Sequence, residues 1–219
     1  MANLTLYGID GSPPVRSVHL TLHALGLKYE YKIVNLMTGE HLKPEYLKVN
    51  PLHTVPTLED DGFFIHDSHA IDAYLVDKYG KDDSMYPKDL QKRAIVDQRL
   101  HYDSSVMVTT GKGLFIPLKE GRTEIPKAKF DALEEVYKNL NLFLKKGDYV
   151  AGNDLTIADF HTIAVLSTTI PFLDVNATEY PKLADWVERI IKLPFYEEAN
   201  GSRIVQVVGF IKNKKFTIV

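Results

Sequence analysis

Cysteine is absent from the 219 residues, which removes disulfides, thiolate metal sites and cysteine nucleophiles from consideration. Any sulfur chemistry must therefore arrive with a substrate. No uninterrupted apolar run approaches the ~20 residues needed to cross a bilayer. No basic block is long enough to track phosphates, and the net charge is −3, so neither a membrane nor a nucleic-acid partner is expected. The start, Met-Ala-Asn-Leu-Thr, lacks the charged-then-apolar order of a signal peptide, and a cytoplasmic protein is expected. Internal repeats and low-complexity segments are missing. No histidine pair combines i,i+4 helical spacing with a glutamate base, so no metal centre is expected either.

What is present begins with Leu4-Thr-Leu-Tyr-Gly-Ile-Asp-Gly-Ser12-Pro-Pro-Val-Arg16. Leu4 to Tyr7 reads as a buried strand, Gly8 to Gly11 as a loop, and Pro13-Pro14 as a helix start, because proline there has the required φ and wastes no N–H. Ser12 then precedes a helix. Its hydroxyl is either an N-cap for the first turn or a donor to an incoming anion such as a thiolate, where the helix dipole also favours negative charge. The local sequence leaves both roles open.

Val15, Val18, Leu22 and Leu25 form a helical stripe that Gly26 is placed to end. Tyr29 to Leu36 is a strand, and β-α-β in one sheet implies a parallel pair. Residues 37–50 are irregular, with a helical turn at Pro44 to Leu47. A hairpin follows, with Asp61-Gly62 as its turn and Phe63 to His66 as its second strand. Ser68 reads as the N-cap of a helix from Ala70 to Tyr79 that buries Ile71, Tyr74 and Leu75. Residues 1–80 thus form an α+β domain and residues 81–88 a polar linker. Residues 89–219 show helical periodicity throughout and no strand pattern: Asp89 to Val108, Pro126 to Lys145, a helix opened by Thr156 and Asp159 at capping-box spacing, Tyr180 to Ile190, and a short last helix from Pro194 to Asn200.

Several segments in order resemble the cytosolic glutathione transferases, most closely the insect epsilon class and next the delta class. They are Ser12-Pro-Pro-Val-Arg, Asn50-Pro-Leu-His-Thr-Val-Pro56, Asp67-Ser-His-Ala-Ile-Asp-Ala-Tyr-Leu-Val, Tyr86-Pro, Asp97-Gln-Arg-Leu-His-Tyr, Ala151-Gly-Asn with Leu155-Thr-Ile-Ala-Asp-Phe, and Leu193-Pro-Phe-Tyr-Glu-Glu-Ala-Asn-Gly. The resemblance spans essentially the whole chain. It implies a thioredoxin-like N-terminal domain that binds glutathione as co-substrate, an all-α C-terminal domain that lines an apolar pocket, and a homodimer. It further implies conjugation of the glutathione thiolate to small hydrophobic electrophiles, with organic hydroperoxide reduction as a companion activity. A ligand carrier or structural protein on the same fold is the alternative.

By that resemblance Ser12 activates the glutathione sulfur. Asp67 faces the γ-glutamyl ammonium where the family usually has Glu, and Ser68 faces the γ-glutamyl carboxylate. A cis Val55–Pro56 bond frees the Val55 backbone for the cysteinyl unit. His41 and His53 match positions that reach the glycyl carboxylate, and His69 matches a contact held by Arg in related classes. The candidate lining of the apolar pocket is Pro14, Leu36, Val108, Gly111, Lys112, Phe115 and Phe210. Gly111 and Lys112 depart from the epsilon pattern, which bears on electrophile choice.

Overall fold

The computed structural model describes residues 3–219. Strand β1 (Leu4–Gly8) lies between β2 (Glu30–Ile33) and β3 (Thr57–Asp60), and β4 (Phe63–His66) completes the order β2-β1-β3-β4. β1 and β2 are parallel, as a β-α-β unit requires; β3 runs antiparallel to both β1 and β4. The turn between β3 and β4 holds Asp61 at φ 50° and Gly62 at φ 85°, the two positive values that a type I′ Asp-Gly turn needs. Helix α1 (Pro13–Ala24) ends before Gly26, whose φ is 66°. Helices α1 and α3 (Ser68–Tyr79) bury Val15, Val18, Leu22, Ile71 and Leu75 against Leu4, Leu6 and Leu58 of the sheet. The single-turn helix α2 (Pro44–Leu47) falls where expected, and Tyr46 beneath it donates to the Thr54 carbonyl at 2.5 Å.

The helical half departs from the sequence reading in three places. Helix α4 (Leu90–Tyr102), capped by Asp89, passes through a π-turn at Asp103–Met107 directly into α5 (Val108–Lys119), so the helix expected to stop at Val108 runs eleven residues further. Thr109, Thr110, Gly111 and Gly113 weaken local helix propensity, but fully buried Leu114 and Leu118 hold the extension by packing. Beyond α6 (Lys127–Phe143), α7 (Ile157–Thr169) and α8 (Pro181–Ile191), the expected last helix is a π-turn at Glu197–Gly201 that opens α9 (Ser202–Asn213). Finally, β5 (Glu124–Ile125) and β6 (Thr217–Ile218) pair in parallel and tie the chain's end to the start of α6. Two-residue strands carry no alternation, so no period could have revealed them.

Helix α7 is buried on nearly every side, as a helix at the centre of a bundle must be. Its first turn is built on Asp159. Oδ2 accepts Thr156 N at 2.9 Å and Thr156 Oγ1 at 3.1 Å, while Oδ1 accepts Val150 N at 3.0 Å and Trp186 Nε1 at 2.9 Å. One carboxylate therefore joins α7, α8 and the loop at Val150. Against the other side of α7 lies α1, whose fully buried Arg16 donates to the Ala164 carbonyl at 2.8 Å, to Ser167 Oγ at 2.9 Å and to Asn200 Oδ1 at 2.5 Å. Leu20 of α1 and Val76 of α3 belong to the larger apolar core, so the sheet's helices and the bundle share one buried seam.

Candidate functional site

The strand register brings the candidate segments to one end of the sheet. Gly8 pairs with Ile33, Tyr7 with Thr57, and Thr57 with His66. Consequently the loop leading to Ser12, the turn carrying Leu36, the Val55–Pro56 segment ahead of β3 and the Asp67–Ser68 step after β4 all leave the sheet at that end, where open α/β sheets present ligand crevices.

Ser12 is extended at φ −82°, ψ 118°, and its hydroxyl makes no capping hydrogen bond. The capping role is thus not realised, for a reason visible in the residues. An N-cap oxygen needs an N–H at the second or third helical position. Pro14 has none there, and Val15 N already donates to the Ser12 carbonyl at 3.1 Å, as does Arg16 N. The proline pair also removes the free backbone donors of the first turn, which leaves the half-buried Ser12 hydroxyl as the polar group α1 offers there.

Beyond β4 the helix cap falls one residue earlier than expected. The N-cap of α3 is Asp67, not Ser68. Asp67 Oδ1 accepts His69 N at 3.0 Å and Ala70 N at 3.2 Å, while Ser68 is the buried first residue of the helix. Asp67 holds φ at 75°, a region sparsely used by non-glycine residues and concentrated at binding sites. Both caps fall on Oδ1, so Oδ2 of the exposed carboxylate takes no part in capping. Val55–Pro56 is cis, and Val55 lies outside the ladder that starts at Thr57. His41, on a 3₁₀ turn at Glu40–Leu42, has a buried Nδ1 without a partner, and its ring lies 6.2 Å from that of exposed His53.

The second wall comes from α9 and α5. Arg203 of α9 donates to Asp10 Oδ1 at 2.7 Å, and a Cβ added at Gly11 would stand 3.0 Å from Val207 Cγ2, so α9 rests directly on the loop that carries Ser12. Phe210 meets Phe115 edge-on with ring centroids 5.8 Å apart. Pro14, in the first turn of α1, and Leu36 are both half-buried, as is Val108. Lys112 is exposed one turn before Phe115, whereas a Cβ on Gly111 would touch Thr169 Cγ2 at 3.4 Å and Val165 Cγ1 at 3.8 Å, which places that position against α7.

His69 does not stand free. Its Nε2 lies 3.0 Å from Asp103 Oδ2, and its ring packs edge-on against His161 of α7 at 4.2 Å. His161 Nε2 lies 2.8 Å from Asp72 Oδ2 but out of line for a hydrogen bond. Burial raises the Asp72 carboxyl well above the usual range and pulls His161 down to about 3. Burial opposes protonation of His69 too, yet the hydrogen bond and charge of Asp103 more than offset it and hold its pKa up. Asp72, Asp103 and His161 escaped the sequence reading. The available signal was a charged residue inside a buried stripe, Ile71-Asp72 ahead of Leu75-Val76, and a histidine inside the apolar run of α7. Arg16, four residues after Ser12 on the buried face of α1, carried the same signal.

A four-stranded mixed sheet with cis-proline ahead of its third strand, continued by a helical bundle packed on α1 and α3, defines the thioredoxin-like two-domain class of glutathione-binding proteins. Residues 6–83 match the family model of the glutathione S-transferase N-terminal domain and residues 95–194 that of the C-terminal domain. The chain superposes on an epsilon-class glutathione S-transferase from the housefly Musca domestica with a TM-score of 0.96 at 52% identity, covering 99% of this chain and 100% of that one. A glutathione transferase homologue from Drosophila mojavensis with bound glutathione gives 0.92 at 51% identity, with both chains fully covered. Glutathione S-transferase 1 of Manduca sexta is 42% identical over 201 residues, 90% of this chain and 92% of its own. This chain belongs to the glutathione S-transferase family, with epsilon-class structures among its near neighbours and delta-class relatives also close. No helix among the described residues is long and apolar enough to cross a membrane.

Proposed function

We propose that the protein conjugates glutathione to small hydrophobic electrophiles, with Ser12 as the donor that holds the thiolate. The observation that carries this reading is the uncapped Ser12 hydroxyl just beyond the end of β1, on the loop against which α9 rests. Ser68 and the α3 N-terminus receive the γ-glutamyl carboxylate, and Asp67 Oδ2 its ammonium. The Val55 backbone pairs with the cysteinyl unit as an added strand would. The unpartnered His41 Nδ1 and His53 turn to the glycyl carboxylate. Pro14, Leu36, Val108, Phe115 and Phe210 form the apolar side, with Lys112 at its rim and Gly111 setting the approach of α5 to α7.

The hydroxyl alone supplies little rate. A thiol of pKa ~8.5 is about 3% thiolate at pH 7, and lowering it by two units gives a roughly 25-fold gain for ~2.7 kcal/mol of preferential stabilisation. Nucleophilicity falls in return by about eightfold at a Brønsted slope of ~0.4–0.5, so the net gain is only about threefold. Most of the acceleration comes from holding thiolate and electrophile together, where positioning contributes up to ~7–11 kcal/mol. The two-walled crevice is the feature suited to that task.

The same reading divides the chain into residues 1–80, 81–88 and 89–219 and places it in the cytoplasm as a homodimer. Exposed Phe63 and Phe64 on β4 and Ile95 on α4 supply apolar surface for the dimer contact. Incubation with glutathione and a generic aryl halide tests the enzymatic reading: thioether must form, whereas a carrier binds both compounds without joining them.

A further inference from the structure

We propose that His69, Asp103 and His161 form a binding site for one divalent transition-metal ion of the zinc type. The three side chains come from the first turn of α3, the π-turn between α4 and α5, and α7. One donor atom from each lies within 4.8 Å of the others. His69 Nε2 and Asp103 Oδ2 are 3.0 Å apart, and His161 Nδ1 and Asp103 Oδ2 are 3.8 Å apart. Donors bound tetrahedrally at ~2.0–2.1 Å stand about 3.3 Å from one another, and the two measured separations bracket that value. Two imidazoles and one carboxylate are a borderline donor set that suits zinc and cobalt over magnesium or calcium.

Two independent observations say that the cluster lacks a partner. Asp72 Oδ1 and Oδ2, Asp103 Oδ1 and His161 Nε2 are buried with no hydrogen-bond partner among the described residues. The Ser17 and Thr21 hydroxyls face Asp72 without the alignment of a bond. Buried polar atoms are ordinarily satisfied; of these orphans, Asp103 Oδ1 belongs to the ligating carboxylate and is free to complete a two-oxygen contact with an ion, while Asp72 and His161 Nε2 face each other behind the donor set. The charge points the same way. Asp103 is a buried carboxylate between two imidazoles, and a cation held there balances its charge. Asp72, 2.8 Å from the far nitrogen of His161, stands where a carboxylate behind a ligating histidine belongs. His69 is the half-buried member of the three, so the cluster is nearest solvent on its side. The proposal reverses the expectation of no metal drawn from sequence spacing, because these ligands are distant in the chain. When filled, the site pins the first turn of α3, which also carries Asp67 and Ser68, to the helical bundle.

The test is titration of the metal-free, glutathione-free full-length chain with Co²⁺, read by the visible d–d bands of a four-coordinate site, with Zn²⁺ competition and elemental analysis. One ion per chain is expected. His69→Gln and Asp103→Asn weaken binding by about tenfold or more, while His101→Gln, exposed and outside the cluster, leaves it unchanged. His161→Gln is a further arm where that variant folds. Absence of the bands, or Co²⁺ binding in His69→Gln and Asp103→Asn equal to that of the unsubstituted chain, overturns the proposal.

Discussion

Replacing Asp159 by Ala removes one acceptor group and strands three buried donors that cannot turn elsewhere: Val150 N, Thr156 N and the Trp186 indole. The Thr156 hydroxyl, the fourth donor, can rotate. Each stranded donor costs ~1–3 kcal/mol, so the loss is roughly 3–9 kcal/mol against a total stability of ~5–15 kcal/mol. With a urea m-value of ~3 kcal/mol/M, the midpoint falls by about 1–3 M. Trp186 is the sole tryptophan and donates to the altered group, so its fluorescence reports the local change while circular dichroism follows global unfolding. Burial raises the Asp159 carboxyl to about 6, and the measurement therefore belongs at pH 7.5, where the carboxylate is charged. Protein concentration must be held fixed, since self-association would shift the midpoint. Asp159→Asn keeps one acceptor but turns an amide NH₂ toward donors, and falls between Ala and Asp. An Asp159→Ala loss under about 1 kcal/mol would refute the view that this carboxylate is the junction of α7, α8 and the Val150 loop.

Gly11→Ala brings a Cβ to 3.0 Å from Val207 Cγ2 and should destabilise by ~1 kcal/mol through overpacking. Adding Val207→Ala should recover part of that loss, and strictly additive effects in urea unfolding would place α9 away from the Ser12 loop. His19 is fully buried, and burial first, then the charges of Arg203, His23 and Arg16, depress its pKa from 6.5 to about 2. The unfolded chain therefore binds a proton below pH 6.5 that the folded chain refuses, so this contribution is present above that pH and is lost as pH falls. His19→Gln should flatten stability against pH between 6 and 4 by about 1.4 kcal/mol per unit; parallel slopes for the two proteins would contradict the assignment.

Residues whose roles are local were legible in the chain. The Asp61-Gly62 turn, the Gly26 stop and the Thr156-Asp159 pair each fold as their chemistry dictates. Where two local devices competed the reading failed: Asp67 and Ser68 are both good caps, and the backbone chose the one at positive φ. The Pro13-Pro14 pair already contained the reason why Ser12 does not cap, since proline has no N–H to donate to its hydroxyl. Helix α9 was hidden because Gly201 and the β-branched Ile204, Val205, Val207 and Val208 argue against a helix locally, and only packing on the Gly8–Ser12 loop and on α7 decides it. The His69–Asp103–His161 cluster draws on residues 34 and 58 positions apart in the chain, a separation that no short-range motif encodes.

The Ser12 hydroxyl is the group proposed to favour the glutathione thiolate. Ultraviolet titration of bound glutathione in the unsubstituted protein and in Ser12→Ala reads this directly. The bound thiol should ionise about two units below the free value of ~8.5 in the first protein and return toward that value in the second, with affinity held within a few-fold. Superimposable titration curves would take Ser12 out of the chemistry.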